Sequence, residues 1–261
     1  MLLAVDVGNT HMTFGVFKGS RLVCRGYVPT ALAKQPRHLL SGFRNAFRRF
    51  EVPLKSIDGA IVSSVVPFAT APLKAALFKT TGIRPLVVGK ELQAPVINRY
   101  RIPSQVGQDR LVNAAAACEL YGGPAIVVDF GTAITIDLVT AKREYLGGII
   151  LPGMEIALEA LSSRAALLPK IRLVPPKELL GRDTVGSMRA GIFYGYGVLC
   201  DGLIRLLKKR YIRRAKVIGT GGNIPLIAPY CREIGIVKGD LTLVGLEITY
   251  RKYLTIPKKF V

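Results

Sequence analysis

The stretch Ala4-Val5-Asp6-Val7-Gly8-Asn9-Thr10 decides how this chain folds. Leu2–Val7 reads as a buried strand, and a meander follows through His11–Phe17, a turn at Lys18-Gly19-Ser20, and Leu22–Val28. Asp6 is the anomaly. A carboxylate at the end of a buried strand is costly unless something binds it. Two residues on, Gly8 lets backbone N–H groups approach an anion closely, and Asn9 and Thr10 add side-chain donors. The same arrangement returns in Val127-Val128-Asp129-Phe130-Gly131-Thr132-Ala133, again ahead of an alternating strand. One copy alone reads as a hairpin turn with a capping Asp. Two copies in register point to a pair of phosphate-binding turns whose carboxylates hold or orient a cation.

Working outward, the pattern alternates. A helix is expected over Pro36–Phe50, with Leu39, Leu40, Phe43, Ala46, Phe47 and Phe50 as its apolar stripe. A strand at Gly59–Val62, a helix near Ala71–Thr80 and a strand at Leu86–Val88 follow. The looser stretch Ala94–Val106 leads into a helix over Gln108–Tyr121 that Gly122-Gly123-Pro124 ends. The chain then starts again, with strands at Ala125–Asp129, Ile134–Val139 and Glu144–Ile150. A long helix over Gly181–Arg210, a short strand at Val217–Ile218 and a final helix over Thr242–Tyr253 complete it. The reading is a duplicated β-meander, two α/β domains facing a cleft, with residues 1–121 forming the first and 122–261 the second.

The length of 261 residues, half of them hydrophobic, suits two compact cores and excludes a disordered chain. The apolar start lacks a basic leader and is interrupted by Asp6, so it is not read as a signal peptide. No run of about twenty uncharged apolar residues is present, so no membrane span is expected. Cys24, Cys118, Cys200 and Cys231 are far apart, which suits reduced structural thiols in a cytoplasmic protein. The formal charge of +20 stands out. Bases cluster at Arg44/Arg48/Arg49 and at Lys208/Lys209/Arg210/Arg213/Arg214. Such a surface attracts ATP and other anions, and binds nucleic acid without specificity. No zinc-finger spacing or aromatic-basic signature accompanies it, so nucleic acid is not expected as a functional partner.

Gly107-Gln108-Asp109-Arg110 stands at the start of a helix, after Tyr100 and a Pro-containing loop. Asp109 could be an N-cap and Arg110 half of a surface pair. In a cleft the same residues could accept the proton of an attacking hydroxyl and clamp a substrate carboxylate. Gly89-Lys90 is spaced wrongly for a P-loop, and Gly195-Tyr196-Gly197 lacks the third glycine of a dinucleotide fingerprint.

The paired turns resemble the actin, hexokinase and Hsp70 superfamily, with its ribonuclease H-like domains. Taken with Gly107–Arg110, Gly147–Gly153, Ser163–Ala166, Thr184 leading into Gly191–Gly195, and Thr220-Gly221-Gly222, they resemble type III pantothenate kinase over nearly the whole chain. That resemblance implies transfer of the ATP γ-phosphate to pantothenate in a cytoplasmic homodimer. It implies that Asp6, Val7, Gly8, Asn9, Thr10, His11, Met12 and Thr13 form the first phosphate loop, with Thr132 touching ATP from the second. It makes Asp109 the base, and Tyr100, Gly107, Gln108, Asp109, Arg110 and Thr184 the pantothenate contacts. It places a monovalent cation, potassium or ammonium, on Asp129, beside Mg²⁺. The long helix from Thr184 is the expected dimer element. Asn223 departs from the apolar residue that often follows the late glycines, and the basic charge is not a family trait. The rival reading is a regulatory or nucleic-acid-binding protein on the same fold.

Overall fold

The structure, a computed structural model, describes residues 1–255, and the chain divides into two compact units. The first is Met1–Glu119 together with the chain from Thr242; the second is Leu120–Leu241.

In the first unit the sheet runs β3-β2-β1-β4-β5. Its strands are β1 (Leu2–Val7), β2 (His11–Lys18), β3 (Arg21–Pro29), β4 (Gly59–Ser64) and β5 (Leu86–Val87). The central strand β1 is antiparallel to β2 and parallel to β4. Alternation puts Leu3, Val5, Val7, Met12, Phe14 and Val16 on one face. Helices α1 (Pro36–Arg49) and α2 (Pro67–Thr81) cover that face with Leu39, Phe43, Phe47, Leu73 and Leu77. The other face carries small residues at Ala4, Gly15 and Gly59, which let a helix come close. A Cβ at Gly15 would lie 3.0 Å from Leu243 Cδ1, and one at Gly59 would lie 2.6 Å from Tyr250 Cζ. After the two-residue strand β6 (Ile97–Asn98) comes α3 (Gln108–Tyr121), which packs on the C-terminal helix α7 (Leu241–Thr255). Gly245 makes that approach possible, since a Cβ there would lie 2.7 Å from Val112 Cγ1. Lys252 and Glu119 close the pair with a 2.7 Å ion pair.

The second unit repeats the plan. Strands β7 (Ala125–Phe130), β8 (Ala133–Val139), β9 (Glu144–Pro152), β10 (Lys216–Thr220) and β11 (Ile236–Val237) run in the order β11-β10-β7-β8-β9. Again the central strand has an antiparallel partner on one side and a parallel one on the other. Residues 2–17 and 125–139 show the same succession of buried and exposed positions, with one extra exposed residue in the first turn. The duplication read from one short repeat therefore extends through the whole hairpin. The second core joins Ile126, Val128, Phe130, Ile134 and Ile136 to α4 (Met154–Arg164), α5 (Thr184–Arg210) and the short α6 (Ile224–Ile227).

Three expectations shift. Helix α2 starts at Pro67 rather than near Ala71, because Pro suits the first helical turn. Pro72 lies inside it and withholds a bond from Phe68, whose carbonyl sits in an exposed turn. Helix α5 starts at Thr184, where Asp183 accepts the Gly186 N–H at 2.7 Å, and Gly181 lies before it, packed against Ser187. The last helix, counted with the second domain in the sequence reading, groups with the first unit; residues 256–261 lie outside the described ones. By length and composition α5 could cross a membrane, yet it carries Arg189 and a buried Asp201 and builds Phe193, Cys200 and Ile204 into a core. The four cysteines are free, and burial pushes the Cys200 and Cys231 thiols up to about 12. Neither is a nucleophile at neutral pH.

The close packing of α7 makes Gly245 a sensitive point. Gly245→Val should lower stability by about 1–3 kcal/mol through overpacking against Val112, read as a lower Tm in thermal unfolding. A wild-type Tm would show that α7 does not need this approach.

Candidate active site

Asp6 ends its strand half-buried, with Thr13 opposite on β2 and Ser63 opposite on β4. The Gly8-Asn9-Thr10 turn is fastened from outside. Thr30, buried, donates its hydroxyl to the Gly8 carbonyl at 2.7 Å and its N–H to the Thr10 carbonyl at 3.0 Å. Gly8 N–H donates to the His11 carbonyl, leaving Asn9, Thr10 and His11 exposed at the tip. Val7 and Met12 are core residues rather than surface donors, so only their backbone can serve a ligand.

The Gly107–Arg110 motif lies beside this hairpin. Val65 joins them, since its N–H donates to the Val7 carbonyl at 3.2 Å and a Cβ on Gly107 would lie 3.3 Å from Val65 Cγ1. That Cβ would also strike Asp109 Oδ1, so a side chain there would displace the carboxylate. Asp109 sits in the first turn of α3, where the helix dipole favours an acidic residue, with Oδ1 accepting the Arg110 N–H at 2.8 Å. Gln108 packs on Gly89, whose φ of +85° requires glycine. Arg110 is buried, as a guanidinium is only when it is partnered. Tyr100, half-buried, donates its N–H to Asn98 Oδ1 at 3.0 Å.

In the second unit Asp129 stands opposite Thr135 on β8 and Thr220 on β10. Two glycines crowd its carboxylate. A Cβ at Gly131 would lie 3.5 Å from Oδ1, and one at Gly221 would collide with the same oxygen and lie 2.6 Å from the Phe130 carbonyl carbon. Gly221 has φ +94°. Asn223 N–H donates to the Phe130 carbonyl at 3.1 Å, so the late glycine motif is fastened to the second hairpin. Thr132 is exposed at the tip, and its carbonyl accepts the Gly153 N–H at 3.1 Å. Thr184 is exposed at the head of α5, and the described bonds tie it to neither hairpin.

Thr30, Ser63, Thr135 and Asp137 were not singled out in the sequence, and Thr220 was read only as the start of the late glycine motif. Thr135 and Asp137 had a signal, because Ile134-Thr135-Ile136-Asp137-Leu138 alternates with its polar positions on the Asp129 face. Thr30 and Ser63 had none, since each acts through a long-range register.

Comparison with known proteins places these features. An inorganic polyphosphate/ATP-glucomannokinase from Arthrobacter superposes with a TM-score of 0.51 at 14% identity, covering 97% of this chain and 98% of its own. That likeness is one of fold, two α/β units each built on a mixed sheet. The family model of type III pantothenate kinase matches residues 2–206. Type III pantothenate kinases from Moorella thermoacetica and Halalkalibacterium halodurans are 43% and 40% identical, each over 97% of this chain and 99% of their own. The chain belongs to the type III pantothenate kinase family. It transfers the γ-phosphate of ATP to pantothenate, giving 4′-phosphopantothenate, the first step towards coenzyme A.

The crowding at Gly221 is directly testable. Gly221→Ala should cost about 1–3 kcal/mol of stability, because it forces a left-handed backbone and displaces the Asp129 carboxylate. Gly222→Ala, where the space is open, should leave Tm near wild type. Equal melting of the two variants would refute the steric reading.

Proposed function

We propose that Asp109 is the base of the pantothenate kinase reaction, and that Arg110 clamps the pantothenate carboxylate with help from Tyr100, Gly107, Gln108 and Thr184. The observation that carries this reading is the packing of Gly107 on Val65, which sets the Asp109 turn beside the first hairpin. A base must stand within reach of the attacking hydroxyl, and that hydroxyl must stand in line with the γ-phosphorus. Asp109 takes the hydroxyl proton as the oxygen attacks. Its oxygen bonded to the Arg110 N–H keeps the carboxylate in one orientation. Backbone N–H groups and donors of Asp6–Thr13, with Thr132, hold the ATP phosphates and spread the charge of the transferring group. Mg²⁺, when bound, neutralises phosphate charge.

Asp129 takes a monovalent cation, potassium or ammonium, in this reading. The residues present fit such an ion. One carboxylate balances one positive charge, and the buried Thr220 hydroxyl beside it has no partner in the protein. A homodimer is supported by α5, whose Val198, Leu199 and Leu206 are exposed and whose Gly191, Gly195 and Gly202 leave open space for a second copy. The enzyme works in the cytoplasm, and its basic surface serves anionic substrates rather than a nucleic-acid partner.

Asn replaces Asp109 with nearly the same shape but cannot accept the proton. Asp109→Asn should keep Tm and ATP binding while turnover falls by on the order of a hundredfold or more. Arg110→Ala should act mainly on the KM for pantothenate. If Asp109 were only a cap, Asp109→Asn would turn over normally, and Asp109→Ala would cost about 1 kcal/mol of stability.

A further inference from the structure

The two hairpins share a frame but differ in one respect that bears on the cation. In each, the Asp faces a Thr across the antiparallel pair and a hydroxyl residue across the parallel pair: Thr13 and Ser63 for Asp6, Thr135 and Thr220 for Asp129. Ser63 and Thr220 are both almost fully buried, at 0% and 1% exposure, and neither hydroxyl has a hydrogen-bond partner in the protein. A buried hydroxyl without a partner is a standing cost of desolvation, and two at corresponding positions mark places where a ligand supplies the missing bond.

The second hairpin adds a further piece. Two residues along β8 from Thr135, on the same face, lies Asp137, which is 2% exposed. Its Oδ2 accepts the Thr135 hydroxyl at 2.9 Å and its Oδ1 accepts the Tyr145 hydroxyl at 2.8 Å, with Tyr145 itself fully buried. In the first hairpin the corresponding position, two residues on from Thr13, is Gly15. The carboxylate that holds the threonine proton thus exists in one copy alone.

We propose that Thr135 and Thr220 complete the cation site at Asp129, Thr220 through its unpartnered hydroxyl and Thr135 through a hydroxyl oriented by Asp137 and Tyr145. The inference rests on the assignment of the cation to Asp129. A threonine hydroxyl has one proton and two lone pairs. With its proton committed to Asp137, Thr135 presents only lone pairs to its surroundings, which suits a cation and repels phosphate oxygen. The set is one carboxylate with neutral oxygens, and no group of three or more His, Cys, Asp or Glu that could hold a metal occurs among the described residues. Hard oxygen donors carrying a single negative charge match a large monovalent ion better than a divalent one. Asp137 and Tyr145 are positioning residues, as outer partners of metal ligands are.

The test reads the ion without catalysis. Thermal unfolding of the full chain is followed in KCl and in NaCl at equal ionic strength, without nucleotide. The wild type should melt higher in KCl. Thr220→Val removes the orphan hydroxyl while keeping shape, so its Tm in NaCl should equal or exceed wild type while the potassium increment falls. Half-saturating potassium should rise on the order of tenfold for Thr220→Val, Thr135→Val and Asp137→Asn. Thr220→Ser should restore the response, and combining Thr135→Val with Asp137→Asn should weaken potassium no more than either alone. If the Thr220→Val and Thr135→Val proteins keep the wild-type potassium response while Asp129→Asn loses it, the inference is overturned and the cation assignment stands. If Asp129→Asn also keeps it, or the wild type shows none, the assignment itself fails and takes the inference with it.

Discussion

The structure is organised around a carboxylate near the end of a central β-strand, twice. A strand flanked on both sides has no backbone to spare for such a charge, so compensation must come from side chains and from the turn beyond it. Both hairpins meet this in the same way. The antiparallel neighbour supplies a threonine, the parallel neighbour supplies a hydroxyl at its carboxyl end, and a glycine two residues on opens the turn. The mixed pairing matters here. A parallel strand must leave the sheet at its end, which exposes the crevice where ligands of α/β sheets bind.

From that common frame the copies diverge along lines that suit different ligands. The first turn has one more residue, Gly8-Asn9-Thr10 against Gly131-Thr132, and is clamped by Thr30, so its tip offers more donors. In the second copy Gly221 follows the strand hydroxyl and presses on the Asp129 carboxylate, whereas the first has Ser64, which is engaged with Val66 and Thr70. A tip rich in donors suits phosphate oxygens. A carboxylate pinned between glycine backbones, next to a buried hydroxyl, suits an ion with little affinity for its water.

Much of this was legible because it is local. Asp followed at two residues by Gly, at the end of an apolar run, carries its cost in the sequence itself, and the repeat of that anomaly revealed the duplication. The helix over Pro36–Arg49 was legible from its apolar stripe, and the one over Gln108–Tyr121 from the Gly122-Gly123-Pro124 stop that follows it. What escaped depends on register between distant segments. Ser63 is unremarkable until β4 is placed beside β1, and Thr220 looked like the start of a glycine motif rather than a neighbour of Asp129. The final helix was misplaced for the same reason. Its partners are Gly15, Gly59 and Val112, small or apolar positions that carry no local sign of the helix they receive.

These features explain how so little dedicated chemistry suffices. Phosphoryl transfer asks the protein for placement and for charges that need not reorganise, more than for a reactive side chain. Cys200 and Cys231 are accordingly inert, and neither hairpin brings a histidine between its carboxylate and its turn. In the proposed reaction that placement falls on rigid backbone: Gly107 against Asp109, Gly221 against Asp129, Thr30 against the first turn. At Gly107 and Gly221 one more methyl group would meet a carboxylate oxygen, and at Thr30 one fewer hydroxyl would release the Gly8 carbonyl. A kinase built this way takes its specificity from positions that bear no charge themselves, because those positions decide where the few charged oxygens point.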